Sequence, residues 1–403
     1  MLLLFSKRSK RSEHPFQGSI LACNCRHPRD SRMFRNGNGR WCEGSCGKSQ
    51  GGRRYRRVRL LSFAKVVAAV RAAVVLLSAI ISARRVHAFS AAKTMTVSRL
   101  RMGESKNRQR HAAKSYLAGK VVWVTGASSG LGEQLAIAAA EGGAKGVILS
   151  GRRHDALDRV RQACEAARVG SAVGENVAAP AVGEGVRVLP FDVGELDGLT
   201  AHVKKAVAEF GRVDILALNA GVSTRASVED TTVEVAKRVM AVNYFGAVAL
   251  AKGLLAAQTT QPGGRAGPHF VVVNSVQGKF GMAHRSSYCA SKHALIGFFD
   301  CLRAETAHLG VRVTTVLPGY IRTSLSLNAL TGDGRQHSQM DKATASGRDP
   351  REVADAIWTA VGEGRDEVVI ADLKVKAAVL LRAVAPQTLF GIMAKRALKG
   401  GEK

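Results

Sequence analysis

The stretch Val121-Val122-Trp123-Val124-Thr125-Gly126-Ala127-Ser128-Ser129-Gly130-Leu131-Gly132 runs apolar for four residues, stops at a threonine and breaks into glycines. An uninterrupted apolar run of this length reads as a strand buried on both faces. Three glycines spaced as G-x-x-x-G-x-G then give a tight turn that brings backbone close to whatever lies above it, and Gly132 opens a helix. Such a strand–turn–helix offers amide donors and a helix N-terminus to a pyrophosphate. The alternation continues. Strands are predicted at 146–150, 186–191, 215–219, 270–275, 312–317 and 367–371, and helices at 132–142, 156–167, 199–209, 233–257, 288–309 and 350–363. β-branched runs of four to six residues separated by helices imply an α/β domain, a doubly wound parallel sheet with helices on both faces, over 119–372. Residues 168–185 read as a surface insertion, and Pro262-Gly263-Gly264 as another loop.

Tyr288 and Lys292 stand four apart in Y-C-A-S-K, which puts a phenol and an ammonium on one helix face. Ser275 ends a strand thirteen residues earlier. Reduction of a carbonyl needs a proton donor at the developing alkoxide, and a free tyrosine, at about pH 10, titrates too high to serve at neutral pH. Lys292, together with an oxidised nicotinamide ring, is expected to lower that value. Ser275 is expected to hold the substrate oxygen, and Asn243 to hold a water linking Lys292 to solvent. The loop residues Thr125, Gly126, Ser128, Ser129, Gly130, Leu131 and Gly132 are the expected pyrophosphate cradle. Asp192 and Val193 after the third strand fit an adenine, and Asn219-Ala220-Gly221 after the fourth fit a ribose. An enzyme selective for NAD places an acid after its second strand. Here Ser150-Gly151-Arg152-Arg153 offers guanidiniums suited to a 2′-phosphate instead, so NADP(H) is the expected cofactor. The eleven histidines form no H-x-x-x-H or H-E-x-x-H arrangement, so no metal is expected, and no G-x-S-x-G elbow points to a hydrolase. The alternative is a non-catalytic dinucleotide-binding scaffold or sensor, against which the complete Ser/Tyr/Lys set argues.

With T-G-A-S-S-G-L-G, N-A-G, Asn243, Ser275, Y-C-A-S-K and Pro318-Gly319 in order, the region 119–372 resembles the short-chain dehydrogenase/reductase family. The resemblance implies a Rossmann-type fold, often in dimers or tetramers, with Asn243, Ser275, Tyr288 and Lys292 as a catalytic tetrad. It also implies that Pro318, Gly319, Ile321 and Thr323 line the nicotinamide end, Thr323 bonding the carboxamide. Leu218 stands where the family usually has a first asparagine. A closer likeness, in K-R-V-M at 237–240, N-Y-F-G at 243–246, S-V-Q-G-K at 275–279 and F-F-D-C-L-R-A-E at 298–305, is to membrane-associated members acting on lipid and steroid-like carbonyls. It implies a lipophilic substrate.

Charge is unevenly spread: 26 Lys or Arg face 4 Asp or Glu before Lys120, and 34 face 27 from there on. The high pI therefore belongs to a basic extension, 1–118. That extension lacks aromatic platforms and a zinc-finger frame, so nucleic acid is not an expected partner. Cys23, Cys25, Cys42 and Cys46 form no standard metal spacing. Within the extension, 60–88 carries the apolar run Ala72–Ala83 and then Val86-His87-Ala88, with small residues at positions −3 and −1 of a cleavage site before Phe89. The run suits either a cleaved targeting sequence or a signal anchor, and with the basic stretch 90–114 it resembles a bipartite plastid presequence. The expected location is membrane-associated, in the endoplasmic reticulum or a plastid. The segment 373–403 is basic and apolar, broken by Pro386, and is expected to lie on a membrane surface.

Overall fold

The computed structural model describes residues 34–35, 41–42, 112–171, 184–259 and 267–398. The apolar leader segment 60–88, the stretch 90–111, most of the 168–185 insertion and the loop at Pro262 lie outside them. The chain divides into two compact units. In the first, Met1–Ala88, the described residues are an antiparallel pair, Phe34–Arg35 with Trp41–Cys42.

The second unit is built on seven strands: β1 (Val121–Thr125), β2 (Gly146–Ser150), β3 (Gly185–Val188), β4 (Ile215–Leu218), β5 (His269–Val273), β6 (Arg312–Pro318) and β7 (Glu367–Ile370). They run in the order β3-β2-β1-β4-β5-β6-β7, every neighbour parallel. The strand order reverses between β1 and β4, where Val122 pairs with Ile215 and Val124 with Ala217. The crevice beyond the carboxyl ends of those two strands is where such sheets bind ligands. The sequence reading of an α/β, doubly wound parallel sheet holds.

The helices are α1 (Gly130–Glu141), α2 (His154–Ser171), α3 (Leu199–Phe210), α4 (Val233–Met240), α5 (Gly246–Thr259), α6 (Ser286–Thr306), α7 (Lys342–Ala345), α8 (Pro350–Gly362), α9 (Leu373–Val384) and α10 (Pro386–Leu398). One sheet face packs on α1, α2 and α8 through Leu135, Val160, Ile357 and Trp358. Full burial of each such side chain contributes about 1.5–3 kcal/mol. Trp358 also donates its indole N–H to the Leu135 carbonyl at 3.0 Å, so its one polar atom stays paired. The other face packs on α3, α5 and α6 through Leu199, Leu250, Leu254, Leu295 and Phe299.

Three departures from the sequence reading matter for function. The helix expected at 233–257 is interrupted by a π turn, Ala241–Phe245, in which the Gly246 N–H reaches the Ala241 carbonyl. A hydrophobic period of 3.6 cannot reveal one widened turn, and such turns recur at functional sites. Residues Val233–Gln258 are, among the described residues, the one helix long and apolar enough to cross a membrane; Leu250, Ala251 and Leu254 are spent on the domain core. The second departure is α7, in the long connection between β6 and α8. The third is the tail, which folds as two helices whose Val375, Ala378, Leu381, Leu389 and Met393 pack against Val276, Phe280 and Leu317. The expected boundary at 372 is no break in packing.

Candidate active site

β1 ends at Thr125, whose hydroxyl donates to Ala217 O at 3.2 Å and accepts from the N–H groups of Asn219 (3.0 Å) and Ala220 (3.2 Å). Asn219 returns the bond, its amide donating to the carbonyls of Thr125 (3.0 Å) and Gly126 (3.3 Å). These contacts staple the glycine turn to β4. Gly126 and Gly130 sit at φ +65° and +61°, a region that L residues enter at a cost. At Gly132 a Cβ would stand 2.2 Å from the Gly126 carbonyl oxygen, so α1 packs on the turn with no room for a methyl. Ser129 caps α1 with its backbone alone, no side chain bonding the first-turn N–H groups. Open amides at a helix N-terminus beneath a close-packed glycine turn fit a pyrophosphate.

The turn borders a cavity of about 610 Å³. Every expected cofactor and catalytic residue lines it except Gly132 and Asn243, which lie behind its wall. At the adenosine end, Arg152 and Arg153 are exposed. Arg152 Nη1 lies 3.8 Å from Asp192 Oδ2, and Asp192 Oδ1 accepts from the Gly194 N–H at 2.8 Å. At the other end Pro318 closes β6 and Gly319, Ile321 and Thr323 follow it, with Thr323 Cγ2 against Gly130.

Tyr288 and Lys292 occupy the first turns of α6 and are both buried. Ser275 follows β5, accepts from the Gln277 N–H at 3.1 Å and hydrogen-bonds the Tyr288 phenol. Lys292 Nζ donates to the Val273 carbonyl at 3.0 Å and stands 5.8 Å from the Tyr288 ring centroid. Burial pushes the lysine down to about 8. Burial also dominates at Tyr288 and raises its phenol above the ordinary value; the Ser275 bond lowers it, Cys289 raises it, and Arg285 and Arg225 lower it. Arg285 and Arg225, which lower the phenol, are two arginines the sequence reading left out.

Asn243 is clamped by three hydrogen bonds. Its carbonyl oxygen accepts from the Val222 N–H at 2.8 Å, and its amide donates to Val222 O and Ser291 Oγ, both at 2.9 Å. It ties the π turn to the loop after β4 and to α6, and so positions the catalytic helix.

Asn274 is a further residue the sequence reading missed. Its amide donates to the Lys292 carbonyl at 3.0 Å while its oxygen accepts from the Ser275 N–H at 2.8 Å, fixing β5 to α6. An asparagine beside the expected serine was the available signal. Over the cavity lie Ala378, Leu381, Leu389 and Met393 of the tail helices, with Lys374 and Arg396. Among the described residues no cluster of His, Cys, Asp or Glu could hold a metal.

A family model described as short chain dehydrogenase matches residues 120–333. The chain is a short-chain dehydrogenase/reductase. It is 43% identical over 286 residues to the Drosophila melanogaster dehydrogenase/reductase SDR family protein 7-like, covering 71% of this chain and 83% of that one. It is 41% identical over 291 residues to dehydrogenase/reductase SDR family member 7B of Mus musculus, covering 72% and 85%. Among solved structures, a Burkholderia cenocepacia short chain dehydrogenase in complex with NADP superposes with a TM-score of 0.53 at 25% identity, over 69% of this chain and 98% of that one. A short chain dehydrogenase/reductase from Burkholderia phymatum in complex with NAD, at 24% identity and a TM-score of 0.55, shares the fold over 68% and 95%. The chain is thus an oxidoreductase of this family, and the solved structures that share its fold include both an NADP and an NAD complex.

Proposed function

We propose that this short-chain dehydrogenase/reductase interconverts a lipid-like or steroid-like carbonyl and its alcohol using NADP(H), with Tyr288 as acid and base. The observation that carries the reading is the convergence of the Tyr288 phenol, Ser275 and Lys292 on a cavity that also holds the glycine turn. When bound, the nicotinamide supplies or accepts the hydride. Ser275 orients the substrate oxygen, Tyr288 delivers a proton to it in reduction or removes one in oxidation, and Lys292 holds a donor beside the phenol. Thr125 and Asn219 keep the glycine turn shaped for the pyrophosphate.

Selection of NADP(H) rests on Arg152 and Arg153, solvent-facing cations at the end of β2 with no acid before Asp155. Replacing both with Ala is expected to weaken NADPH about 10–100-fold, as loss of charge-assisted bonds implies, while moving NADH less than about threefold. Equal losses in a fluorescence titration of the two nucleotides would remove the arginines from cofactor choice.

A lipophilic substrate is supported by the apolar underside of α9 and α10, which walls the substrate end with Ala378, Leu381, Leu389 and Met393. The outer side of the same helices exposes Leu380, Val384 and Phe390 beside Lys376, Arg382 and Lys395, with no acid from Leu373 to Leu398. Apolar residues among cations suit an anionic bilayer, which would also deliver a lipid at the cavity's edge. Full-length protein carrying Leu380→Asp and Phe390→Asp is expected to bind phosphatidylserine vesicles several-fold more weakly than the parent chain. Unchanged co-sedimentation would assign membrane binding elsewhere.

A further inference from the structure

The short turn Val276–Gly278 follows Ser275 and puts Gln277 in the cavity wall. The backbone N–H of Gln277 is the donor to Ser275 Oγ at 3.1 Å, which ties the residue to the serine that faces the reacting oxygen. Gln277 is 5% exposed, so both ends of its amide need partners within the site. Both partners are sulfurs. Nε2 donates to Met282 Sδ at 3.7 Å, and Oε1 accepts from Cys289 Sγ at 3.5 Å. A thioether is a weak acceptor and a thiol a weak donor. Met282 Sδ is shared as well, since Tyr320 OH donates to it at 3.5 Å. Burial raises the Cys289 thiol, so it stays protonated and gives Oε1 no more than that weak bond. The buried amides of Asn243 and Asn274 have oxygen and nitrogen partners between 2.8 and 3.0 Å. Gln277 is left with softer ones.

Such partners hold an amide in place and give it up cheaply. An amide bonded only to sulfur keeps much of its desolvation cost, and a well-placed oxygen recovers it. The wall on this side of the cavity, with Val276, Phe280, Met282, Leu389 and Met393, is apolar. A few fixed polar groups in an apolar cavity are what orient a ligand. We propose that Gln277 is a specificity-determining residue whose Nε2 donates to a second oxygen of the substrate, an acceptor a few bonds from the reacting carbonyl. The substrate class then narrows from a plain lipophilic ketone to an oxygenated one, whose ether or hydroxyl oxygen takes the place of Met282 Sδ. This proposal rests on the reading of Ser275 and Tyr288 as the site of carbonyl chemistry.

The test compares ratios of rates. Full-length enzyme and its Gln277→Met variant are assayed with NADPH on dodecan-2-one and on its 1-, 3- and 5-methoxy derivatives, whose added oxygen accepts and cannot donate. Methionine keeps the length of glutamine and removes the amide. For at least one methoxyketone, kcat/KM relative to dodecan-2-one is expected to be about 10–100-fold lower in Gln277→Met than in the parent, the loss of one hydrogen bond in a dry site. Intrinsic reactivity of the ketones cancels in that comparison. A residue that only supports the fold would slow every ketone alike and leave the ratio unmoved. Met282→Leu separates the amide from the sulfur: the parent's preference should persist or grow there, and its loss would assign recognition to the thioether and overturn the proposal. Ratios that agree within about twofold between parent and Gln277→Met for every methoxyketone also overturn it. NADPH affinity reports whether each variant is folded. If Gln277→Met is not, Gln277→Asn, which draws the amide back by one methylene, decides by the same ratio. Retained turnover in Tyr288→Phe would instead overturn the acid–base reading beneath the proposal.

Discussion

Tyr288→Phe is expected to lower kcat for carbonyl reduction by about a thousandfold or more while leaving the dissociation constant for NADPH within about twofold. The first figure follows from loss of a positioned proton donor, which contributes 10²–10⁴-fold. The second follows from geometry: the glycine turn, Asn219 and the β2 arginines are held by contacts that do not include the phenol. The substitution removes one oxygen and keeps the ring, so the packing of α6 survives. Loss of the phenol leaves Ser275 still bonded to the Gln277 N–H, so the serine keeps its place and any residual rate measures orientation alone. Steady-state rates over a panel of lipophilic ketones, beside a nucleotide titration, check both halves. Turnover within tenfold of the parent enzyme would end the case for Tyr288 as the donor. An equal loss of NADPH affinity would make the residue structural.

The parts legible in the sequence are those whose physics is local. A glycine turn after an apolar strand encodes its own geometry, because Gly126 and Gly130 need positive φ and Gly132 needs the missing Cβ. The four-residue spacing of Tyr288 and Lys292 fixes a shared helix face. Alternating strands and helices foretell the parallel sheet, with its ends displaced by a few residues at β3 and α2. The rest depends on meetings across the fold. Arg225 and Asp341 lie 116 residues apart, and only the crossing of the β4 loop with the stretch before α7 brings them together. The π turn is hidden because apolar periodicity survives it. The clamp that Asn243 forms is hidden by distance along the chain: its three bonds go to Val222 and Ser291, 21 and 48 residues away. Amphipathic character marked the tail as seeking an apolar partner, and half of that partner proved to be the domain itself.

Lys292→Met is expected to cut turnover by about a hundredfold or more without lowering thermal stability at pH 7, an unusual pairing for a buried residue that accepts replacement. Burial brings Lys292 down to about 8 from its ordinary value of 10.5, so the folded protein holds this proton less tightly than the unfolded chain. Below pH 8 both states are protonated and the cost of the buried charge is fully present, about 3 kcal/mol at this shift. As pH rises from 8 towards 10.5 the folded lysine loses its proton first and that cost is relieved. Methionine escapes the cost at every pH but leaves the Val273 carbonyl without its 3.0 Å donor, a loss of about 1–3 kcal/mol. The two effects nearly offset at pH 7, and the advantage of the variant should shrink as pH passes through 8. Melting curves of both proteins at pH 7 and pH 9.5 read the sign directly. A variant that melts many degrees below the parent at pH 7 would show that the ammonium is a structural anchor. A variant as stable as the parent and inactive would show that a costly buried charge is kept at this position for its effect on the neighbouring phenol and the substrate oxygen.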